Sequence, residues 1–151
     1  MECSIRWQGE PRNNEEGSNM AFQATTGSGH SLCMDGPPEL GGANLGARPM
    51  ELLLAGAGGC SAIDVVKILQ KSRQAISGCE VKLQAERADS EPKVFTHIHL
   101  HYIVSGHALK EEAVERAITL SKEKYCSASI MLAKTAKITH DYELVDLPTD
   151  N

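Results

Sequence analysis

Two cysteines stand in settings that suit thiol chemistry. Cys60 lies in the middle of the longest apolar run, RPMELLLAGAGGCSAIDVVKILQK, from Arg48 to Lys71, and Cys126 sits in KYCSASIML near the end of the chain. A free thiol titrates near pH ~8.5, and only the thiolate attacks a peroxide or a disulfide, so a working cysteine needs a cation or a helix N-terminus beside it. Cys126 has the second in prospect, at the start of a short helix over Ser127–Ala133. Cys60 falls mid-helix, and its i+4 neighbour Asp64 opposes thiolate formation. The compensating cation has to come from Lys67, Arg48, Arg12 or Arg6. On residue type and context alone, a redox pair and two buried packing cysteines both remain open.

The element that positions Cys60 reads as one helix opening at Pro49, with Glu51 in a first turn where the dipole favours a carboxylate. At a 3.6-residue period Leu54, Ala62, Val65 and Leu69 share a face. Leu53, Ala57, Cys60, Asp64, Lys67 and Lys71 share another, which places Cys60 on the border of core and polar surface. The first half is apolar nearly all round and is expected to be buried on most sides. Gly56, Gly58 and Gly59 each cost about 1 kcal/mol against alanine, a cost best explained by another backbone or a ligand approaching there.

Around this helix the periodicities predict strands. CSIRWQ makes a short edge strand, and MAFQATT and HSLCMD form a hairpin about GSG. Asp35–Ala47 is a loop rich in glycine and proline that serves either as a pocket wall or as a connector. SGCEVKLQAER and KVFTHIHLHYIVSG are two more strands, and Cys33 and Cys79 read as packing residues. His97, His99 and His101 project from one face at a spacing that could hold a metal. No carboxylate or cysteine is near in sequence, so a solvated or inter-strand histidine face is the favoured reading. An amphipathic helix over His107–Lys124, the short helix after Cys126 and a closing strand AKITHDYELVD complete an α+β order, with no βαβ repeat and no glycine-rich nucleotide-binding motif.

A chain of 151 residues, 41% hydrophobic and 23% charged, is the size and composition of a single globular domain, here taken as 1–151. A net charge of −5, scattered Lys and Arg, and 4% aromatics argue against nucleic-acid binding. The apolar run is broken by Glu51, Asp64, Lys67 and glycines, so no membrane span is expected. MECSIRWQGE lacks the positive and apolar regions of a signal peptide, and a cytoplasmic location is expected. The five cysteines show no C-x-x-C pair and no zinc-finger spacing, so neither a disulfide framework, a bound metal nor another cofactor is anticipated.

RPMELLLAGAGGCSAIDVV, followed much later by EKYCSASIML and the terminal ITHDYELV, resembles the OsmC/Ohr family of organic hydroperoxide reductases. The whole chain fits, including Trp7-Gln8-Gly9 and GSGHSLCMD, and the GGC-S-A-I-D-V-V and KYCS patterns are closest to the YhfA-type branch. The resemblance implies an α+β, OsmC-like fold with antiparallel sheets around a long central helix, and an intertwined homodimer with active sites at the subunit interface. It implies that Cys60 is the peroxidatic cysteine, Cys126 the resolving one, an organic hydroperoxide the substrate and a dithiol the reductant. Active family members carry a glutamate directly after the helix-starting proline, paired with an arginine. Here that position is Met50, and the carboxylate is Glu51, rotated by about 100° on the helix. Arg12 is the approximate counterpart of the arginine, with Arg48 and Asp64 as further supporting candidates. A noncatalytic binder of an apolar ligand in the same pocket, or a disulfide redox switch, are the alternatives.

Overall fold

The computed structural model describes residues 1–9 and 17–148, and the chain divides into two compact units, Met1–Leu53 and Leu54–Asn151. The first unit is a three-stranded antiparallel sheet in the order β1 (Cys3–Trp7), β2 (Ala21–Thr26), β3 (Ser31–Asp35). Cys3 pairs with Thr26 and Trp7 with Phe22, and β2 and β3 form the expected hairpin. Its turn closes with the Thr26 N–H donating to the His30 carbonyl at 2.9 Å, and Gly29 takes the left-handed conformation (φ 84°) that suits glycine. Every residue of β1 is exposed, Ile5 and Trp7 included.

Asp35, at the end of β3, organises the loop that follows. Its buried carboxylate accepts the N–H groups of Gly36 (2.7 Å), Ala43 (3.0 Å) and Leu45 (2.9 Å), together with the Ser18 hydroxyl. The loop is thus wound around one anion. Hydrogen bonding from Ser18, opposed by burial and assisted by the three backbone donors, lowers the Asp35 pKa from 3.8 to about 2. Arg48 tightens the same loop by donating to the carbonyls of Asp35 (3.4 Å) and Gly46 (3.3 Å).

Helix α1 (Pro49–Lys71) begins as its sequence predicts. Pro49 needs no N–H partner, and the Glu51 carboxylate reaches back to the Arg48 N–H at 2.8 Å, one half of a capping box. From Leu54 onward the helix belongs to the second unit, whose sheet has the order β4 (Ala75–Arg87), β5 (Phe95–His107), β6 (Lys137–Asp146). Ala57, Gly58, Ser61, Val65 and Leu69 are its buried positions. A Cβ on Gly58 would lie 2.6 Å from Leu83 Cδ1, so this glycine is what lets α1 sit close on β4. Ile98, Leu100, Tyr102 and Val104 supply the sheet side of the core; Val114, Ala117 and Ile118 of helix α2 (Glu111–Leu120) are buried as well.

Of three features, the first and third differ from expectation, and the second agrees with the inter-strand reading of the histidine face. First, β4 and β5 are antiparallel, but β5 and β6 run parallel, because α2 and a further helix carry the chain back across the sheet before β6 enters. Second, that parallel register brings side chains against the histidine face that are distant in sequence. Thr139 Oγ1 lies 2.8 Å from His97 Nε2 and 2.9 Å from His99 Nδ1, and Asp141 Oδ1 lies 2.6 Å from His101 Nδ1 and 3.2 Å from His99 Nε2. The face is therefore an inter-strand hydrogen-bonded one. Third, the first half of α1 is not buried on most sides. Leu53 and Ile63 are 50% and 58% exposed, and Cβ atoms at Gly56 and Gly59 would meet nothing. One side of the helix packs and the other is left apolar. By length and composition alone (mean hydropathy 1.7) α1 could cross a membrane, yet its packed side is that of a core helix.

A carboxylate with a lowered pKa stabilises the fold above its unfolded value of ~3.9, and that stabilisation is lost as the pH falls toward the folded value. Asp35→Asn is therefore expected to lower the melting temperature at pH 7. The gap to wild type should shrink as the pH drops from about 4 toward 2. Thermal unfolding across that range checks this, and equal melting temperatures at pH 7 would show that Asp35 does not hold the loop.

Candidate redox-active thiol site

Cys126 is placed by an irregularity. Beyond α2 the chain makes one wide turn, Ser121–Tyr125, in which the Cys126 N–H donates to the Ser121 carbonyl five residues back at 2.8 Å. Such π-type turns re-aim side chains and recur at functional sites. Cys126 then caps helix α3 (Ser127–Leu132), its sulfur accepting from the Ser129 N–H at 3.4 Å and lying 3.1 Å from the Ser129 hydroxyl. The thiol is fully buried, 3.8 Å from the Ala57 carbonyl of α1. Burial pushes its pKa up, the two Ser129 contacts pull it down, and the neighbouring Cys60 pushes it up again, for a net rise. Cys126 rests as a thiol.

Cys60, half-buried on α1, faces it. The sulfur atoms of Cys60 and Cys126 and a carboxylate oxygen of Asp64 all lie within 4.8 Å of one another. The fold therefore brings together the two cysteines singled out in the sequence and one of the four supporting candidates. Glu51 and Arg48 are engaged at the start of α1 and in the loop before it, and Arg12 lies outside the described residues.

Behind the sulfurs runs a chain of hydroxyls that the sequence did not reveal. Tyr102 Oη is 2.6 Å from Ser61 Oγ, which is 2.9 Å from Ser121 Oγ, which donates to Asp64 Oδ2 at 3.2 Å. A hydroxyl has one proton to give. Since the carboxylate can only accept, Ser121 donates to it, Ser61 donates to Ser121, and Tyr102 donates to Ser61. The chain is directed from the core to the site, and among the described residues no buried side-chain nitrogen or oxygen lacks a partner. Ser61, Ser121 and Tyr102 each come from a different element, so no spacing in the sequence links them. Ser61 had only its adjacency to Cys60 as a signal.

On its outer side Asp64 borders a cleft of about 660 Å³, lined also by Lys67, Lys71, Lys110, Arg116 and Tyr125. Four cations face two carboxylates there, Asp64 and Glu112. These charges are set in a lining that is otherwise largely apolar, with Ile68, Ala113 and Leu120 among its residues.

A cysteine-bearing helix packed on a mixed sheet, with a second cysteine capping a short helix against it, defines an α+β protein with a two-thiol site. The family model for "OsmC-like protein" matches residues 41–141, so the chain belongs to the OsmC-like family. It is 52% identical over 145 residues to Protein YhfA of Escherichia coli (strain K12), covering 96% of this chain and 98% of that one. A crystal structure of a hypothetical protein from Aquifex aeolicus VF5 is 29% identical with a TM-score of 0.78, covering 97% of each chain. A structure of an organic hydroperoxide resistance protein OsmC from Legionella pneumophila, at 18% identity and TM-score 0.66 over 94% of this chain and 96% of that one, shares the fold.

Burial raises the Tyr102 pKa from 10.0 to about 12, opposed by the Ser61 hydrogen bond. Because the folded value is raised, the stabilisation is complete below pH ~10 and is lost as the pH climbs toward 12. Tyr102→Phe should cost about 1 kcal/mol at neutral pH through the lost hydrogen bond. It should also flatten the loss of stability between pH 10 and 12, which chemical denaturation of both proteins at each pH would show. An unchanged alkaline slope would mean that Tyr102 is not the titrating group.

Proposed function

We propose that this protein is a thiol-dependent reductase of organic hydroperoxides, with Cys60 as the peroxidatic and Cys126 as the resolving cysteine. The observation that carries the reading is that two cysteines far apart in sequence lie with their sulfurs within 4.8 Å, one half-buried and one fully buried. Family membership supports it. In the reaction the Cys60 thiolate attacks the terminal peroxide oxygen, the O–O bond breaks, and the alkoxide leaves and takes a proton to become an alcohol. Cys60 is now a sulfenic acid. Cys126 attacks that sulfur and water departs as the disulfide forms. A dithiol then returns both cysteines to thiols, and the two electrons taken by the peroxide come from it.

In this reading Asp64 is the positioning carboxylate, held by the Ser121 hydroxyl, and Lys67 in the adjoining cleft supplies the positive charge that a thiolate beside a carboxylate requires. Met50 leaves the family's usual carboxylate position empty of charge, with Glu51 committed to the helix start. Arg48 and Arg12 then serve at most a supporting role. The whole chain acts as one OsmC-like domain, in the cytoplasm, where thiols are kept reduced.

The reading includes a homodimer. Only 28% of the most apolar window of α1 is buried within the chain, and Leu53, Gly56, Gly59 and Ile63 present small and large apolar groups on its outer side. A second copy of the same face is the occupant that fits, since two glycines allow two helices to approach closely. Ile63→Lys is expected to yield monomers at concentrations where wild type is dimeric, and light scattering after size exclusion reads this directly. A monomeric wild type would remove the dimer from the proposal.

The activity test is direct. Reduced protein should consume cumene or t-butyl hydroperoxide with a dithiol. Cys60→Ser should lose turnover by at least roughly 10²-fold, while Cys126→Ser reacts once and stalls. Undiminished turnover in Cys60→Ser would sink the reading. A binder of apolar ligands would show no turnover in either protein. A disulfide switch would oxidise once without catalytic cycling.

A further inference from the structure

Cys60, Asp64 and Cys126 offer more than a redox pair, because they are also a set of metal ligands. We propose that the reduced protein binds one thiophilic divalent cation, of the zinc class, through the sulfurs of Cys60 and Cys126 and a carboxylate oxygen of Asp64. The sequence reading anticipated no metal, since the cysteines show no ligand spacing. The site is created by the fold, with Cys60 and Asp64 one turn apart on α1 and Cys126 delivered by the wide turn before α3.

The geometry suits such an ion. Tetrahedral zinc holds sulfur at about 2.3 Å and carboxylate oxygen at about 2.0–2.2 Å, so its ligand atoms lie roughly 3.5–3.8 Å apart. Atoms already within 4.8 Å of one another need contract by no more than about 1.3 Å. The ligand set is right for a soft ion, because two thiolates select zinc-like cations over magnesium or calcium. The surrounding groups are those that orient ligands: Ser121 donates to Asp64 Oδ2, Oδ1 accepts no hydrogen bond among the described residues, and the Ser129 N–H and hydroxyl steady the Cys126 sulfur. Three protein ligands leave the fourth position to water. On binding, the two thiol protons pass to solvent and no electron moves. The bound ion and the Cys60–Cys126 disulfide exclude each other, so the cation would hold the thiols in the reduced state. The proposal stands whether or not the pair reduces peroxides.

Cobalt(II) titration of metal-free, reduced protein under argon tests it, read by sulfur-to-cobalt charge-transfer absorption and by competition with zinc. The expected result is one ion per chain, with the charge-transfer intensity about halved in Cys60→Ser and in Cys126→Ser. Asp64→Asn should keep the band but weaken affinity roughly tenfold or more. Protein carrying the Cys60–Cys126 disulfide should bind none. The absence of the band in reduced wild type would overturn the proposal. So would its persistence at full strength in Cys60→Ser, or its loss when Cys3, Cys33 and Cys79 are replaced by serine with Cys60 and Cys126 intact.

Discussion

The second unit depends on what Ser61 does. Its hydroxyl sits on the packed side of α1, accepts from Tyr102 on β5 and donates to Ser121 in the turn after α2. Three elements meet at one buried oxygen. Each of these hydroxyls would cost on the order of 1–3 kcal/mol if buried without a partner, so the chain is stabilising only when complete. Completeness demands that α1 lie close to the sheet, which Gly58 permits, and that the chain widen into a π-type turn, which lets Ser121 point inward. Cys60 and Cys126 are carried on the same two elements. The condition that satisfies the buried hydroxyls therefore also brings the sulfurs together.

The chain ends on Asp64, and this sets the electrostatics of the site. A carboxylate accepting from a directed line of hydroxyls is a fixed negative centre beside two thiols. Such a centre disfavours a second and third negative charge unless a cation is present. Burial already holds Cys126 as a thiol. The cleft on the other side of Asp64 carries Lys67, Lys71, Lys110 and Arg116. The proposed cation between the sulfurs and a fixed lysine at the cleft would answer the same electrostatic demand, so the two proposals call on the same atoms.

Much of this was legible in the sequence. Pro49 and Glu51 mark the start of α1, alternation marks the strands, and the settings of Cys60 and Cys126 distinguish them from the other three cysteines. What could not be read was pairing across long separations. The parallel entry of β6 placed Asp141 and Thr139 beside His97, His99 and His101, although no carboxylate stands near those histidines in the chain. The hydroxyl chain was hidden for the same reason, since its members lie on elements that the periodicity of none predicts to touch. Asp35 was seen only as the edge of a loop, because its value lies in backbone N–H groups that converge once the loop has folded.

The outer side of α1 was misread for an instructive reason. Periodicity reports which residues are apolar, and burial within one chain is only one way to satisfy them. Leu53 and Ile63 are half exposed or more, while Gly56 and Gly59 lie open on the same helix. In a protein where Gly58 alone is needed to seat α1 on its own sheet, two more glycines costing about 1 kcal/mol each are unexplained by internal packing. The homodimer proposed above would explain them. Cys60 stands next to Gly59, on the border between the packed face and this open one. In the proposed homodimer, Cys60 would lie where the interface closes over it, and water would be excluded from the proposed sulfur chemistry.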